Sequence, residues 1–370
     1  MDIALLTSSR ADYSIYYPLI KKIKENSLFK LDIITFGTHN SSFYGKTADL
    51  IKKDGFNVAH KVENLVLGES PESITDSMGL TFMKFSKIWA LKNYKLCFVL
   101  GDRFEMFAAA YSTAAFNIPL AHISGGEQTL GAIDNAFRDA ITTLAVYHFA
   151  STETYAERIR NIKGNSKNIY NVGALSIDNL NSLTLFSKKY FQSEFGIDMN
   201  KPAILITFHP ETVGYEMNEC YIKELLSALD SIQGYQFIIT MPNADTMGSV
   251  IRNYINKFIA TKTCAYGIES FGTVGYLSCM KYCSFMLGNS SSGFVEASYF
   301  PKTVINIGSR QTGRIVTPNI INCKIKKEEI LASVKIAEGM LLEEKIETYG
   351  DGSAAVKIVN ILMQINEKDK

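Results

Sequence analysis

The chain has 370 residues, 46% of them hydrophobic, and a formal net charge of +1. That length exceeds one ordinary core and fits roughly two domains, while the near-neutral balance leaves no charge excess to draw the protein onto nucleic acid or a membrane, so any anion must be held by locally placed groups. No apolar run approaches the roughly 20 residues of a membrane span, and the start, Met1-Asp2-Ile3-Ala4-Leu5-Leu6, lacks the basic lead of a signal peptide and reads as a strand, which implies a cytoplasmic protein.

Residues 2 to 7 form a buried-type strand that stops at Ser8-Ser9-Arg10-Ala11-Asp12-Tyr13-Ser14, and a helix follows with Tyr17, Leu19, Ile20 and Ile23 toward the core. A strand ending at a helix start suits anions, because unpaired N–H groups and the helix dipole face the loop. Arg10 adds a full charge there, although a surface arginine near a helix terminus fits the same position. A second strand, Leu31 to Phe36, opens into Gly37-Thr38-His39-Asn40 and Phe43-Tyr44-Gly45-Lys46-Thr47, which puts His39 at a strand's carboxyl end among the substrate-binding candidates. Ser8-Ser9-Arg10 stands where a dinucleotide site needs GxGxxG, which argues against a nicotinamide enzyme. Between 71 and 91, Met78, Phe82, Phe85 and Trp89 recur at spacings of four, three and four, which predicts a core-facing helical stripe.

The chemistry concentrates between Leu100 and Asp139. The apolar run Cys97-Phe98-Val99-Leu100 breaks into Gly101-Asp102-Arg103-Phe104-Glu105, passes through an alanine-rich helix, and returns as Ile118 to Ile123 before Ser124-Gly125-Gly126-Glu127. A further helix begins near Asp134 and carries Arg138 and Asp139. Ligands of open parallel sheets bind beyond the strands' carboxyl ends, so Asp102, Arg103, Glu127 and Asp134 are expected to face one cleft. Tyr147 to Ala150 is the next strand, in which His148 reads as a satisfied strand-end histidine, and the alternation closes near Asn171-Val172-Gly173-Ala174. A polar segment, Ser176 to Lys201, separates the halves, giving an N-terminal domain over 1–175 and a C-terminal domain over 176–370, whose last helix can pack back on the first domain.

The second half repeats the pattern. Strand Ala203 to Phe208 ends in His209-Pro210-Glu211-Thr212; a helix with Ile222, Leu225, Leu226 and Leu229 on one side leads to strand Phe237 to Met241, which ends in Pro242-Asn243-Ala244-Asp245. After a helix from Thr273 to Tyr282, strand Ser284 to Leu287 opens into Gly288 to Gly293 and on to Glu296, and strand Thr303 to Ile307 into Gly308-Ser309-Arg310-Gln311-Thr312-Gly313-Arg314. A final amphipathic helix carries Val356, Ile358, Val359 and Leu362. The fold class is α/β, with two parallel sheets and a shared cleft. Six cysteines lie scattered without a CxxC pair; Cys279 and Cys283, one helical turn apart, have no neighbouring histidine and read as packing, so neither disulfide, metal nor cofactor is expected.

The Gly288 to Gly293 loop offers backbone amides and serine hydroxyls to a phosphate, Arg310 and Arg314 add forked donors, and Glu296 suits the hydroxyls of a ribose. Together these favour a nucleoside diphosphate, and no Walker lysine follows the glycines. Asp102, Glu127, Asp134 and His209 form an acid/base set of the kind needed to remove a carbon-bound proton and protonate a leaving group. Asp134 equally fits an N-cap, and Asp102 an orienting partner of Arg103.

In order and spacing, Thr7-Ser8-Ser9-Arg10-Ala11-Asp12-Tyr13, Gly101 to Glu105, His122 to Glu127, Phe208 to Thr212, Gly288 to Glu296, Gly308 to Gln311 and the Tyr349-Gly350-Asp351-Gly352 tail resemble the UDP-N-acetylglucosamine 2-epimerase family, most closely its hydrolysing branch of sialic and legionaminic acid synthesis. The resemblance implies a GT-B-like fold of two Rossmann-like domains, a UDP-sugar substrate, no metal or nicotinamide, and a homo-oligomer, a dimer before other states. It implies anti elimination of UDP to a 2-acetamidoglucal, followed by hydration to N-acetylmannosamine. By motif, Arg10, Ser14, Arg103, His209, Asn243, Ser290, Ser291, Glu296 and Arg310 resemble the nucleotide-binding set, and Asp102 and Asp134 the acid/base residues. Two positions depart from the pattern: Ser124 stands where a glutamate is common, and Arg138-Asp139 where Arg-His is common. Glu127 or Asp139 would then take over the missing carboxylate's work, or the sugar would differ, as in UDP-2,4-diacetamido-2,4,6-trideoxyglucose. A GT-B glycosyltransferase, a non-catalytic UDP-sugar-binding protein and the non-hydrolysing branch are the competing readings.

Overall fold

The computed structural model describes residues 1–42, 47–68, 70–213, 215–242 and 247–368; the Phe43 to Lys46 stretch and Asn243 lie outside the described residues. Two compact units emerge. The first comprises Met1–Glu127, Asp134–Asn181 and Tyr349–Lys370, the second Gln128–Ile133 and Ser182–Thr348.

In the first unit, strands β1 (Asp2–Thr7), β2 (Lys30–Thr35), β3 (Val58–Lys61), β4 (Leu96–Leu100), β5 (Leu120–Ile123), β6 (Tyr147–Ala150) and β7 (Ile169–Asn171) form one sheet in the order β3-β2-β1-β4-β5-β6-β7. All its pairings are parallel. Side chains alternate across a strand, so Ile3 and Leu5 join one core with Tyr16, Leu19 and Ile20, while Ala4 and Leu6 join the other with Phe85 and Trp89. The order reverses between β1 and β4, the strands that lead into the loops at Ser8 and Gly101; a reversal of this kind is where ligands of open α/β sheets bind.

The second unit repeats this with β8 (Ala203–Thr207), β9 (Gln236–Thr240), β10 (Ala265–Ile268), β11 (Phe285–Gly288), β12 (Val304–Ile307) and β13 (Ile320–Cys323), all parallel in the order β10-β9-β8-β11-β12-β13. Its reversal lies between β8 and β11, the strands that lead to His209 and Asn289. Sequence patterning missed β3, β10, β13 and the helices Gly248–Thr261 and Lys327–Gly339, whose strands are short or half-exposed.

Three expectations need correction. The division falls after Asn181, because 175–182 is helical and packs in the first unit. The polar segment 176–201 is not a simple linker: it holds a second helix, Lys188–Phe195, capped by Ser187, closed by Gly196 in the left-handed region, and anchored by fully buried Phe191. On helix Pro71–Leu91 the buried face is Ser73, Ser77, Thr81, Phe85, Ile88 and Trp89, with Phe82 exposed. Small hydroxyl residues let the preceding chain approach: Ser77 Oγ accepts from Val66 N at 2.9 Å and Thr81 Oγ1 from Asn64 Nδ2 at 2.7 Å.

The carboxyl-terminal segment belongs to the first unit. Ala174 N donates to Tyr349 O at 2.8 Å, and a Cβ on Gly350 would meet Gly173 Cα at 3.0 Å, so the two chains cross flush. Helix Ala354–Lys368 then sends Ile358 and Leu362 into the core that holds Ile3 and Leu5, each burial stabilising by about 2 kcal/mol; Val356 faces outward. Buried Asp178 caps this helix, accepting from Ala354 N at 3.0 Å and Ala355 N at 2.7 Å. Burial raises its carboxyl from its ordinary value, against the pull of the two amides. Asp178→Ala is expected to lower the unfolding free energy by about 2 kcal/mol, read from urea melts, because two end amides lose their acceptor.

Candidate active site

After β1, Ser9 caps helix Arg10–Lys24, its Oγ accepting from Asp12 N at 3.2 Å. Asp12 in turn accepts from Ser8 N and Ser8 Oγ, both at 2.8 Å, and from Ser9 Oγ at 2.9 Å. Burial pushes the Asp12 carboxyl up, while these donors and the charge of Arg103 pull it down. Arg10 and Ser14, four residues apart on this helix and not fully exposed, share one face. His39 has a different role from the one expected. It is fully buried, with Nε2 at 2.9 Å from Thr7 Oγ1 and Nδ1 at 2.8 Å from Thr47 Oγ1, so both ring nitrogens are spent inside the fold and the imidazole props the β1 and β2 loops.

Beyond β4 and β5 the acidic residues converge. Asp102 forms an ion pair with Arg138 Nη2, and Arg138 Nη1 donates to the Glu127 carbonyl at 3.0 Å. Arg138 is 2% exposed. Beside them buried His122 bonds the Gly101 carbonyl through Nε2 at 2.9 Å and Thr142 Oγ1 through Nδ1 at 3.2 Å. A carbonyl only accepts, so the ring carries its proton on Nε2 and the Thr142 hydroxyl donates to Nδ1. Ser124 sits in the left-handed region at φ 61°, and Gly126 follows at φ 77°, where a Cβ would lie 2.4 Å from Tyr155 O. This turn brings Glu127 back against Ser151, whose Oγ donates to Oε1 at 2.9 Å. Asp134 opens helix Asp134–Leu144, where its charge also suits the dipole. Asp139, the other candidate to replace a carboxylate at Ser124, is committed elsewhere. Its two oxygens take a forked pair of bonds from Arg158 at 2.6 and 2.7 Å.

Arg103 donates through Nε to Glu105 Oε1 at 2.7 Å, and Glu105 is fully buried. Glu105, Arg138 and Ser151 were not assigned site roles from the sequence; the Arg-x-Glu spacing at 103 and 105 was the available signal.

In the second unit, His209 and Asn289 clamp each other. His209 N donates to Asn289 Oδ1 and Asn289 Nδ2 to His209 O, both at 2.8 Å, with Asn289 fully buried. From Asn289 a chain of bonds runs outward: Gln311 Nε2 donates to Asn289 O at 2.8 Å, and Arg314 Nε to Gln311 Oε1 at 2.7 Å. Gly288, at φ 149°, lets the loop start, since a Cβ would lie 1.9 Å from Thr207 O. The expected loop-to-helix cradle is a short 3-10 turn, Ser291–Gly293, followed by helix Glu296–Tyr299. Neither element is long enough to carry a full helix dipole. Ser290 Oγ lies 2.9 Å from Ser292 Oγ, which lies 2.6 Å from Tyr276 OH.

Glu211, also missed, organises the arginine loop. Its carboxylate accepts from Ser309 N at 2.6 Å, Ser309 Oγ at 2.8 Å and Arg310 N at 3.2 Å, and its own backbone is gripped by Asn218. Cys279 and Cys283 are buried in apolar surroundings, which push Cys283 to about 11 and Cys279 upward. Among the described residues no group of three His, Cys, Asp or Glu side chains gathers as a metal site, and no helix is long and apolar enough to cross a membrane.

Residues 21–363 match the family model described as UDP-N-acetylglucosamine 2-epimerase. Similar proteins include polysialic acid biosynthesis protein P7 of Escherichia coli, 32% identical over all of this chain and 95% of that protein. Another is the GDP/UDP-N,N'-diacetylbacillosamine 2-epimerase (hydrolyzing) of Campylobacter jejuni, 33% identical over 87% of this chain and 84% of that one. The solved UDP-GlcNAc 2-epimerase of Neisseria meningitidis, bound to UDP-GlcNAc, superposes with a TM-score of 0.83 at 18% identity, over 98% of this chain and 100% of that one. The chain belongs to the UDP-N-acetylglucosamine 2-epimerase family, and its two parallel α/β units are GT-B-like.

Of the five histidines in the sequence, three are held neutral by burial: His39 at about 4, His122 at about 4 and His148 at about 3. Unfolding restores each to roughly 6.5, so the unfolded chain binds more protons below that pH. The stabilisation is therefore complete above about pH 6.5 and is lost as the pH falls toward 4, each ring contributing on the order of 1 kcal/mol per pH unit inside that window. The expected result is a melting temperature that drops steadily from pH 6.5 to 4.5, while imidazole ¹⁵N NMR of the folded protein at pH 5.5 still reports three neutral rings.

Proposed function

We propose that the protein is a hydrolysing nucleotide-sugar 2-epimerase that converts UDP-N-acetylglucosamine and water to UDP and N-acetylmannosamine. In the first half of the reaction a base takes the C2 proton, the C1–O bond to UDP breaks, and a C1–C2 double bond forms. In the second, water adds at C1 while a proton returns to C2 on the opposite face. The atoms balance without an oxidant or a metal.

The observation that carries this reading is the Arg138 guanidinium, buried and shared by the Asp102 carboxylate and the Glu127 main chain. Two proton-transfer groups are thereby fixed about one rigid cation, and Asp134 lies four residues before Arg138 on the same helix face. Proton transfer to and from carbon needs a carboxylate or a comparable base. Ser124 cannot serve at neutral pH, and Asp139 is spent on Arg158, so Glu127 takes the work of the missing carboxylate. In the second unit Ser290, Ser291, Arg310 and Arg314 suit the diphosphate, Glu296 the ribose, and His209 the leaving group. In the first unit Arg10, Ser14 and Arg103 suit an anionic group at the strand ends. The UDP-GlcNAc-bound relative of the same fold supports the nucleotide assignment.

A second substrate reading rests on a separate observation. The Campylobacter relative is named as a hydrolysing epimerase of N,N'-diacetylbacillosamine nucleotides. By that reading the sugar is UDP-2,4-diacetamido-2,4,6-trideoxyglucose, with the same bonds made and broken.

Proton NMR in deuterated water, with neither acceptor nor added metal, tests the reaction. The expected products are free UDP and an amino sugar deuterated at C2; UDP-N-acetylmannosamine in equilibrium with substrate would overturn the hydrolysing assignment. Glu127→Gln should lower kcat by about 100-fold or more, the usual worth of a positioned acid or base. Asp139→Asn should lower the melting temperature instead and leave kcat within a few-fold, and the reverse pattern would move the role to Asp139.

A further inference from the structure

Six residues, Gln128–Ile133, fold as part of the second unit although the residues on either side, Glu127 and Asp134, belong to the first. This strap lies on the arginine loop. Leu130 N donates to Thr312 O at 2.9 Å, Ile133 N donates to Thr212 Oγ1 at 3.0 Å, and Ala132 N closes a turn on Thr129 O at 2.9 Å. Gly131 is buried against the loop backbone: a Cβ there would lie 2.4 Å from Ser309 O and 2.6 Å from Arg310 Cα. From the other side Gly313, at φ 93°, leaves room for Gln128, whose Cβ would be 2.8 Å from any Cβ added at Gly313. Glycine is thus required on both faces of one contact.

We propose that the strap, with Gly131 at its centre and its backbone docked on residues 309–312, is the positioning element of Glu127 and Asp134, the acid/base residues that flank it in the chain; this rests on the epimerase reading above. Each flanking Cα is a single peptide link, about 3.8 Å, from the strap, so a displacement of the strap is passed on with little slack. A misplacement of about 1 Å at a reacting group can cost on the order of 100-fold in rate. The loop side is the stiffer partner. Three bonds to the Glu211 carboxylate hold Ser309 and Arg310, and carboxylate bonds are roughly twice as strong as the neutral bonds that hold the strap. A side chain forced in at residue 131 therefore displaces the strap and leaves the arginine loop in place. Gly131 and Thr212 touch neither sugar nor phosphate in this account and act only through Glu127 and Asp134.

The test uses the full chain with Gly131→Ala and, separately, Thr212→Val, which removes only the hydroxyl that accepts from Ile133. UDP affinity is measured by calorimetry, kcat on whichever UDP-sugar the wild type turns over, and folding by thermal melting. The expected result for Gly131→Ala is a kcat lower by about 10- to 100-fold with UDP affinity within about twofold and an intact cooperative melt. Thr212→Val should shift in the same direction by a smaller factor. Unchanged kcat in both variants would overturn the proposal, as would a fall in kcat matched by an equal loss of UDP affinity, which would make the strap a support of the loop alone. Hydrogen exchange adds an arm independent of turnover: UDP should protect amides 128–133 together with 309–314 in the wild type, and loss of the first protection alone is expected in Gly131→Ala. A wild type that neither binds UDP nor turns over either sugar would instead remove the epimerase reading, and the strap's role with it.

Discussion

The polar edge of the first unit depends on burying the guanidinium of Arg138. At 2% exposure it has given up its hydration, a cost of several kcal/mol that only well-placed acceptors offset. Asp102 supplies the opposite charge and the Glu127 carbonyl a second acceptor. Their loops are therefore fixed by the same demand. Removing the Asp102 carboxylate takes away the opposite charge, and removing the arginine takes away the ion-pair partner of Asp102. His122 supports the arrangement as a neutral strut, since burial holds it at about 4 and its Nε2–H is committed to the carbonyl of Gly101. A charged ring there would add a second cation beside Arg138. Helix geometry separates the neighbours: Asp134 and Arg138 share a face, whereas Asp139 is rotated by about 100° toward Arg158.

The second unit solves the same topological problem with neutral groups. Its two loops at the strand-order reversal are tied by the Asn289 amide, which donates to and accepts from the His209 main chain. An amide can do both at once and carries no charge to be compensated. Beside these loops Arg310 and Arg314 carry positive charge, placed by Glu211 and Gln311. The first unit fixes carboxylates with a buried arginine, and the second fixes hydroxyls and arginines with neutral amides and the Glu211 carboxylate.

Much of this was legible because both sheets are built from short apolar runs that end in polar bursts. Such runs mark parallel strands, and their ends mark ligand sites whatever the packing. Asp102, Glu127, His209 and the Gly288 loop were singled out in that way. What escaped depends on contacts across long stretches of sequence. Glu211 organises a loop nearly a hundred residues on, Asn289 reaches back eighty residues to His209, and Asp178 caps a helix that begins at Ala354. No local period encodes such partners. His39 misled because a strand-end histidine and a buried strut look identical until Thr7 and Thr47 are seen on its two nitrogens. The Trp89 helix misled in another way. Apolar spacing selected Phe82, but the packed face runs through Ser73, Ser77 and Thr81, where small hydroxyl residues admit a neighbouring backbone.

Ser124 opens the turn that sets the backbone of Glu127. It sits at φ 61°, a conformation that costs an L-residue roughly 1 kcal/mol. A glutamate would pay the same cost, so strain does not explain the serine. The turn it begins does more. Gly126 must follow without a side chain because Tyr155 O stands where a Cβ would be, and the tight return carries Glu127 to Ser151 and its carbonyl to Arg138. Glu127 thus stands three residues after Ser124, on backbone held by the same arginine that holds Asp102.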